Sequence, residues 1–188
     1  MRILILGPQG SGKGTQAKRI AAAYDVPHVA TGDMFRAAVA DGSDLGRRVA
    51  PILEDGGLVP DDLTIDLIRE RLAEEDGFVL DGFPRTVAQA EALDSMLDEI
   101  GKPLDAVILL QVTDEVATER LRERAAQEGR ADDSPEGIAN RLRLYHELTE
   151  LVVDRYQLAG IEVIVDGEQT VDEVFAAIQD ALEAVTAR

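Results

Sequence analysis

"RILILGPQGSGKGTQ", residues 2–16, sets a run of branched apolar residues against a glycine-rich turn and then a helix-forming stretch. The apolar run reads as a buried strand. Glycines at 7, 10, 12 and 14 let the backbone curl so that successive N–H groups converge on one anion, and the helix expected from residue 13 adds the favourable potential of its N-terminus. Gly7, Gly12 and Lys13 fit the G-x-x-x-x-G-K spacing of a phosphate-cradling loop, with the customary hydroxyl delayed one place by Gly14 to Thr15. Lys13 would bring a point positive charge to the outer phosphates of a nucleoside triphosphate, and Thr15 a hydroxyl beside Mg2+. Three fixed positions are a weak signal by themselves; the strand-turn-helix context is what strengthens it.

Working outward, further β-type runs appear at "GFVLD" (77–81), "AVILLQV" (106–112) and "IEVIV" (161–165), with a weaker one at "PHVAT" (27–31). Between them lie helix-period stretches at 13–24, 33–41, 61–75, 86–99, 114–128, 136–158 and 170–186. That alternation predicts an α/β fold: a parallel five-stranded sheet with helices on both faces. Two segments break the rhythm. Residues 31–60 are helical but punctuated by Gly42, Gly46, Gly56, Gly57 and Pro60, and "RAAQEGRADDSP" (124–135) is a polar loop between long helices in which Ser134 can cap and Pro135 can open the next helix. Both are candidate flaps over a site at the C-terminal strand ends.

Composition narrows the chemistry. The 188 residues are 45% hydrophobic and 30% charged, enough for one domain with a substantial core. The absence of cysteine excludes disulfides, thiolate catalysis and a Cys-based structural zinc. No apolar run approaches the length of a membrane span, and the apolar stretch at the N-terminus is too short for a secretory leader, so a cytoplasmic protein is expected. With 37 acidic against 19 basic residues the formal net charge is −18. Such a field repels nucleic acid and anionic lipid, so neither is expected as a partner, and any anionic ligand must be captured locally. The acidic surplus itself reads as a solubilising surface.

Against that surplus a set of arginines stands out: Arg36 in "TGDMFR", Arg85 in "DGFPRT", then Arg120, Arg124, Arg130 and Arg141. Thr31 or Asp33 is the expected N-cap of the helix that carries Arg36. The histidines, His28 and His146, are expected to be structural.

Taken together, "GPQGSGKGTQ", "TGDMFR", "GGLVPDDL", "LDGFPRT" with Gln89, "GRADDS" and "NRLRLYHE" closely resemble the adenylate kinases, within the nucleoside monophosphate kinases, over essentially the whole chain. The resemblance implies a P-loop NTPase-like domain spanning 1–188, with a core of 1–30, 61–123 and 136–188, an NMP-binding insertion at 31–60 and a short lid at 124–135. It implies ATP, AMP and ADP as ligands, Mg2+ as cofactor, and a monomer. Gly7, Gly10, Ser11, Gly12, Lys13, Gly14 and Thr15 match the loop around the ATP phosphates, Arg120 and Arg124 match residues that hold ATP, and Gln169 falls where main chain meets its base. Thr31, Gly32, Arg36, the backbone of Gly57, Leu58 and Val59, the turn Gly82, Phe83, Pro84 and Arg85, and Gln89 match the AMP pocket. Arg130 and Arg141 match residues that hold the phosphate in flight, Asp132 a lid acid, and Asp81 the carboxylate near Mg2+, reached largely through water. In this scheme Pro84 stiffens the turn so that Arg85 points at the acceptor phosphate. The short lid is also typical of UMP/CMP kinases; Thr31, Thr86 and Gln89 favour AMP, since an amide can donate to and accept from an adenine edge at once.

The implied chemistry suits these residue types. Each pair of unit charges brought 4 Å apart costs ~4 kcal/mol at an effective dielectric of about 20, so two polyanionic nucleotides cannot meet without fixed cations. Arginine binds phosphate oxygens bidentately and stays charged. The attacking phosphate oxygen is already ionised above pH ~6, so no general base is required. Water must be excluded, which gives the two irregular segments a reason to close. An ATP-dependent switch without phosphoryl transfer is the competing reading, but it has no use for the acceptor set from Thr31 to Gln89.

Overall fold

The computed structural model describes residues 1–128 and 134–186. Arg130 and Asp132 lie outside the described residues.

Five strands form one parallel sheet: β1 (Arg2–Leu6), β2 (His28–Ala30), β3 (Phe78–Asp81), β4 (Ala106–Gln111) and β5 (Glu162–Asp166), in the order β2-β3-β1-β4-β5. The side-chain alternation of the strands sorts the core into two layers. Leu4 and Leu6 of β1, with Leu80 of β3 and Val107 and Leu109 of β4, face one way and pack on α4 (Asp61–Leu72), α5 (Val87–Glu99) and α8 (Glu150–Ala159). Ile3, Ile5, Val79, Ile108 and Leu110 face the other way and pack on α1 (Lys13–Tyr24) and α9 (Val171–Thr186). Strands apolar on both faces and covered by helices on both faces are what a parallel sheet requires, and the α/β reading of the sequence holds. Truncation of a fully buried residue such as Leu80 or Ile108 would cost about 2–5 kcal/mol.

Residues 31–60 resolve into two helices where the sequence suggested one interrupted stretch: α2 (Thr31–Ala40) and α3 (Asp44–Glu54), the second capped by Ser43. They have a small core of their own, with Phe35, Val49 and Val59 buried. Beyond β4, α6 (Asp114–Glu128) packs on α7 (Pro135–Leu144) through Ala117, Leu121, Ile138 and Leu142. Ser134 caps α7 by accepting from Gly137 N–H at 3.0 Å, and Pro135 sits in its first turn, as expected.

One difference from the sequence reading lies in 136–158, expected as a single regular helix. The rod is continuous from Pro135 to Ala159 but is interrupted at Tyr145–Thr149 by a π turn that joins α7 to α8. A π turn inserts an extra residue and rotates everything beyond it relative to everything before, and hydrophobic periodicity over one turn is too coarse to reveal it. The helix then ends at Gly160 in the left-handed conformation. Among the described residues no helix is long and apolar enough to cross a membrane.

Candidate active site

Strand register assembles the site before any side chain is considered. Ile5 of β1 and Ala30 of β2 both pair with Asp81 of β3, so the three strands end level. The loop after β1, the start of α2 after β2 and the turn Gly82–Arg85 after β3 therefore emerge side by side.

Each emerging segment is held by local chemistry. Gly12 has φ +94° immediately before α1, a left-handed conformation that a side chain would strain, and it is what turns the loop into the helix. Lys13 folds back so that Nζ donates to Gly7 and Pro8 carbonyls at 2.7 Å each. Gly82 is likewise left-handed at φ +80°, and a Cβ there would meet Thr31 Oγ1 at 2.8 Å. Thr31, buried, donates from Oγ1 to Gly82 O at 2.9 Å. The expectation that Thr31 or Asp33 caps α2 is thus not met: the helix begins at Thr31 itself, the preceding Ala30 offers no side-chain cap, and the Thr31 hydroxyl is committed to the neighbouring turn.

The turn after β3 aims Arg85. The Phe83–Pro84 peptide is cis. Arg85 Nε donates to Gly82 O at 2.8 Å, its backbone N–H to Gln89 Oε1 at 2.8 Å, and its carbonyl accepts from Thr149 Oγ1 at 3.0 Å. The Thr149 contact joins the turn to the π turn in the C-terminal rod, which gives that irregularity a place in the site. Thr86 begins α5 as its N-cap, accepting from Gln89 N–H at 3.2 Å.

The charges here interact as one group. Burial pulls the Lys13 ammonium down to about 8, with Asp81 opposing the drop and Arg85 and Arg124 adding to it. Burial likewise pulls Arg85 down to about 10, with Arg141 and Arg36 adding to the drop and Asp81 opposing it, so the guanidinium stays charged at neutral pH. Burial works to raise the Asp81 carboxyl, but His28, with Nε2 3.5 Å from Oδ2, and the charges of Lys13 and Arg85 hold it below its ordinary range. Asp81 thus sits with Lys13 and Arg85, while Lys13 also feels Arg124 and Arg85 also feels Arg141 and Arg36, so these charges form one interacting group. Cations pressed against one another in a protein interior bind polyanions strongly, because the ligand relieves their mutual repulsion.

On one side of this cluster, Thr31, Gly32, Phe35, Gly57, Leu58, Val59, Gly82, Arg85 and Gln89 line a small cavity of about 40 Å3. Arg36 lies over Gly32, where a Cβ would come 3.2 Å from its guanidinium, and it pairs with Asp33 at 2.5 Å. On the other side Arg120 Nη1 donates to Gly167 O at 2.8 Å and lies 3.5 Å from Ser11 O, which ties α6 to the phosphate loop. Arg141 is 8% exposed despite its charge. Gln169 is exposed, its amide donating to Asp166 at 3.3 Å.

Sequence reasoning missed three supports. His28 was expected to be structural, yet it is one of the groups that hold Asp81 ionised. Neither Thr149 nor Asp61 was singled out, although Asp61 accepts from both Thr86 Oγ1 (3.0 Å) and Gln89 Nε2 (2.7 Å). No local pattern would have found them, because each acts on a partner distant in the chain.

The donor set suits Mg2+. Thr15 presents an exposed hydroxyl, and Asp81 Oδ2 lies 3.5 Å from where a Cβ on Gly14 would be, beside the loop that would carry the phosphates. Mg2+ held mainly by phosphates and water needs only one or two such oxygens. Among the described residues no three His, Asp or Glu side chains converge as a metal cage.

A much larger cavity, about 690 Å3, lies elsewhere, between the ends of β4 and β5 and the C-terminal rod. It shares Pro8 with the phosphate loop, but Asp114, Glu150, Asp154, Glu162, Asp166 and Glu168 line it, a field of the wrong sign for phosphates.

Comparison with known proteins supplies the family. The profile of the family described as adenylate kinase matches residues 5–161. An adenylate kinase from Stenotrophomonas maltophilia strain K279a is 46% identical over 98% of this chain and 100% of its own length. One from Xanthomonas euvesicatoria pv. vesicatoria is 48% identical over 97% of this chain and 99% of its own. A phosphate loop, a convergent arginine set and near-full-length identity of this order lead to one conclusion: the chain belongs to the adenylate kinase family and is an enzyme that transfers phosphoryl groups to nucleoside monophosphates.

Proposed function

We propose that the enzyme catalyses reversible, Mg2+-dependent transfer of the terminal phosphoryl group of ATP to AMP, giving two ADP, and so balances the adenine nucleotides of the cytoplasm as a monomer. The observation that carries this reading is the position of Arg85, coupled at once to Lys13 of the phosphate loop and to Arg36 and Arg141 on the acceptor side.

The Lys13 ammonium leaves its two carbonyl partners to meet the outer phosphates of ATP, while the N–H groups of Gly10 to Thr15 cradle them. Arg36 and Arg85 hold the AMP phosphate. Arg85, Arg120, Arg124, Arg130 and Arg141 meet the charge on the phosphoryl group in transit, with Asp132 supporting the lid. Magnesium, when bound with ATP, neutralises phosphate charge and orients the transferring group. Thr15 and Asp81 would hold it, Asp81 through water. The acceptor oxygen needs no base at neutral pH, so catalysis consists of alignment and charge stabilisation. Residues 31–60 and 124–135 act as the NMP-binding insertion and the short lid, and their closure excludes water.

The adenine of AMP occupies the cavity beside Gln89, and Gln169 lies where main chain meets the base of ATP. Thr31, Thr86 and Gln89 support AMP over UMP or CMP as acceptor. Phosphorus NMR of the protein with ATP and each monophosphate, with and without Mg2+, tests all of this. Rapid ADP formation from AMP, slow turnover of UMP and CMP, and loss of turnover without Mg2+ are expected; equal use of UMP would overturn the acceptor, and no transfer at all would leave a nucleotide switch.

A further inference from the structure

The hydrogen bonds around Gln89 fix more than its position. This side chain is 2% exposed, and both ends of its amide are engaged. Oε1 accepts from the backbone N–H of Arg85 at 2.8 Å, and Nε2 donates to Asp61 Oδ1 at 2.7 Å. Asp61 is itself held, since its Oδ2 accepts from Thr86 Oγ1 at 3.0 Å, and that same hydroxyl caps the helix bearing Gln89. A backbone N–H can only donate and a carboxylate can only accept, so chemistry alone settles which end of the amide is oxygen and which is nitrogen. Turning the amide over would set N–H against N–H and oxygen against carboxylate.

An amide has one further acceptor site on its oxygen and one further N–H, and Gln89 stands in the wall of the cavity of about 40 Å3 on the acceptor side. A 6-aminopurine offers an amine donor and a ring-nitrogen acceptor on the edge that would meet it. A 6-oxopurine offers the reverse, a carbonyl acceptor and a ring N–H donor. A freely turning amide accommodates either; a locked one accommodates only one.

We propose that Asp61 is a specificity-determining positioning residue: by holding the Gln89 amide in one orientation, it makes the acceptor pocket take a 6-aminopurine monophosphate and refuse a 6-oxopurine one. The inference rests on the reading that Gln89 faces the base of AMP. Asp61 touches neither nucleotide and acts through Gln89, so its removal changes the choice between bases more than turnover of AMP.

The test compares kcat/KM for AMP and for inosine monophosphate, with ATP as donor, in the unsubstituted enzyme, Asp61→Leu and Asp61→Asn, each checked for folding by thermal melting. Leucine offers no acceptor and leaves only the Arg85 N–H to resist turning of the amide, so the ratio of AMP to inosine monophosphate use is expected to fall about tenfold or more, mainly through KM for the oxopurine. Asparagine can turn its carbonyl to Gln89 Nε2 and its amide N–H to Thr86 Oγ1, so that variant is expected to keep the ratio within about threefold. An unchanged ratio in folded Asp61→Leu overturns the proposal. Failure of the unsubstituted enzyme to use AMP would overturn the proposed function instead. Should neither variant fold, nitrogen NMR of the unsubstituted protein decides: one Gln89 side-chain amide proton stays protected from solvent exchange when AMP is added, and loss of that protection in the AMP complex overturns the proposal.

Discussion

Two concave regions flank the C-terminal ends of the strands, and they are electrostatic opposites. At the ends of β1 and β3, Lys13 and Arg85 line a cleft with little open volume and hold Asp81 ionised with His28, while the charges of Arg36, Arg124 and Arg141 reach the two cations. Beside the ends of β4 and β5, a cavity of about 690 Å3 carries six carboxylates, with His146 clipped between Asp114 at 3.0 Å and Glu150 at 2.7 Å. Tyr145 lines both. A rule based on volume would choose the second region; the sign of the charge favours the first. In a chain of net charge −18, gathering cations at one place costs their mutual repulsion and the burial of each, a cost that a bound polyanion would offset.

The largest effect expected from breaking this contrast is at Arg85. In the proposed reaction Arg85→Met would remove a bidentate phosphate partner, and kcat/KM for ADP formation should fall about 10³-fold while the melting temperature changes little. A fall of less than about tenfold would mean that the cluster is not the reaction centre.

Lys13 sharpens the comparison through pH. Its ammonium titrates at about 8 in the ligand-free protein. A bound polyphosphate favours the charged form, so the complex keeps its proton to higher pH, and binding takes up a proton above the free value. ATP affinity should therefore be flat below about pH 8 and fall by up to about tenfold per unit above it. Calorimetry across that range checks the slope, and Lys13→Gln should flatten it. Stability of the ligand-free fold responds with opposite sign, because a lysine whose folded value lies below its unfolded one costs stability at neutral pH, a cost relieved as pH rises past 8.

Thr149 links the two regions through the π turn. Thr149→Val removes the bond to Arg85 O and should cost about 1 kcal/mol of stability, with a loss of kcat below about tenfold. Chemical denaturation and steady-state rates measure the two separately.

The acidic region should respond least. Burial, then the charge of Asp154, pushes the Glu162 carboxyl up from its usual value. A raised folded value means that ionised Glu162 disfavours the fold, so stability is lost as pH rises through that value and the neutral variant does not lose it. Glu162→Gln should stabilise by a few tenths of a kcal/mol near neutral pH, the advantage vanishing in acid, with kcat unchanged. A large loss of activity would mean that this cavity takes part in catalysis.

How far the sequence could be read depends on the range of each interaction. The strand-turn-helix at 2–24, the five strands and the Ser134 cap with Pro135 are local matters of periodicity, glycine and proline, and they are found where the pattern indicates. The division of 31–60 into two helices was half visible, since Gly42 marked the break but Ser43 was not recognised as a cap. The cap assignment at Thr31 failed because a tertiary partner, Gly82 O, outcompeted the local N–H groups for the same hydroxyl. The π turn left no trace in a coarse apolar period.

By itself the sequence determined the alternation of strands and helices, the phosphate loop and the identities of the arginines, because backbone preference, amphipathic period and short motifs act over a few neighbouring residues. Tertiary structure alone decided that Ile5, Ala30 and Asp81 share a level, so that the arginines become a cluster, that His28 and Lys13 keep Asp81 ionised, and that Asp61 orients Gln89. These depend on strand register and on burial, and burial is what turns separate charges and amides into a coupled group: in water they would be screened and free to rotate, and in the folded interior they are neither.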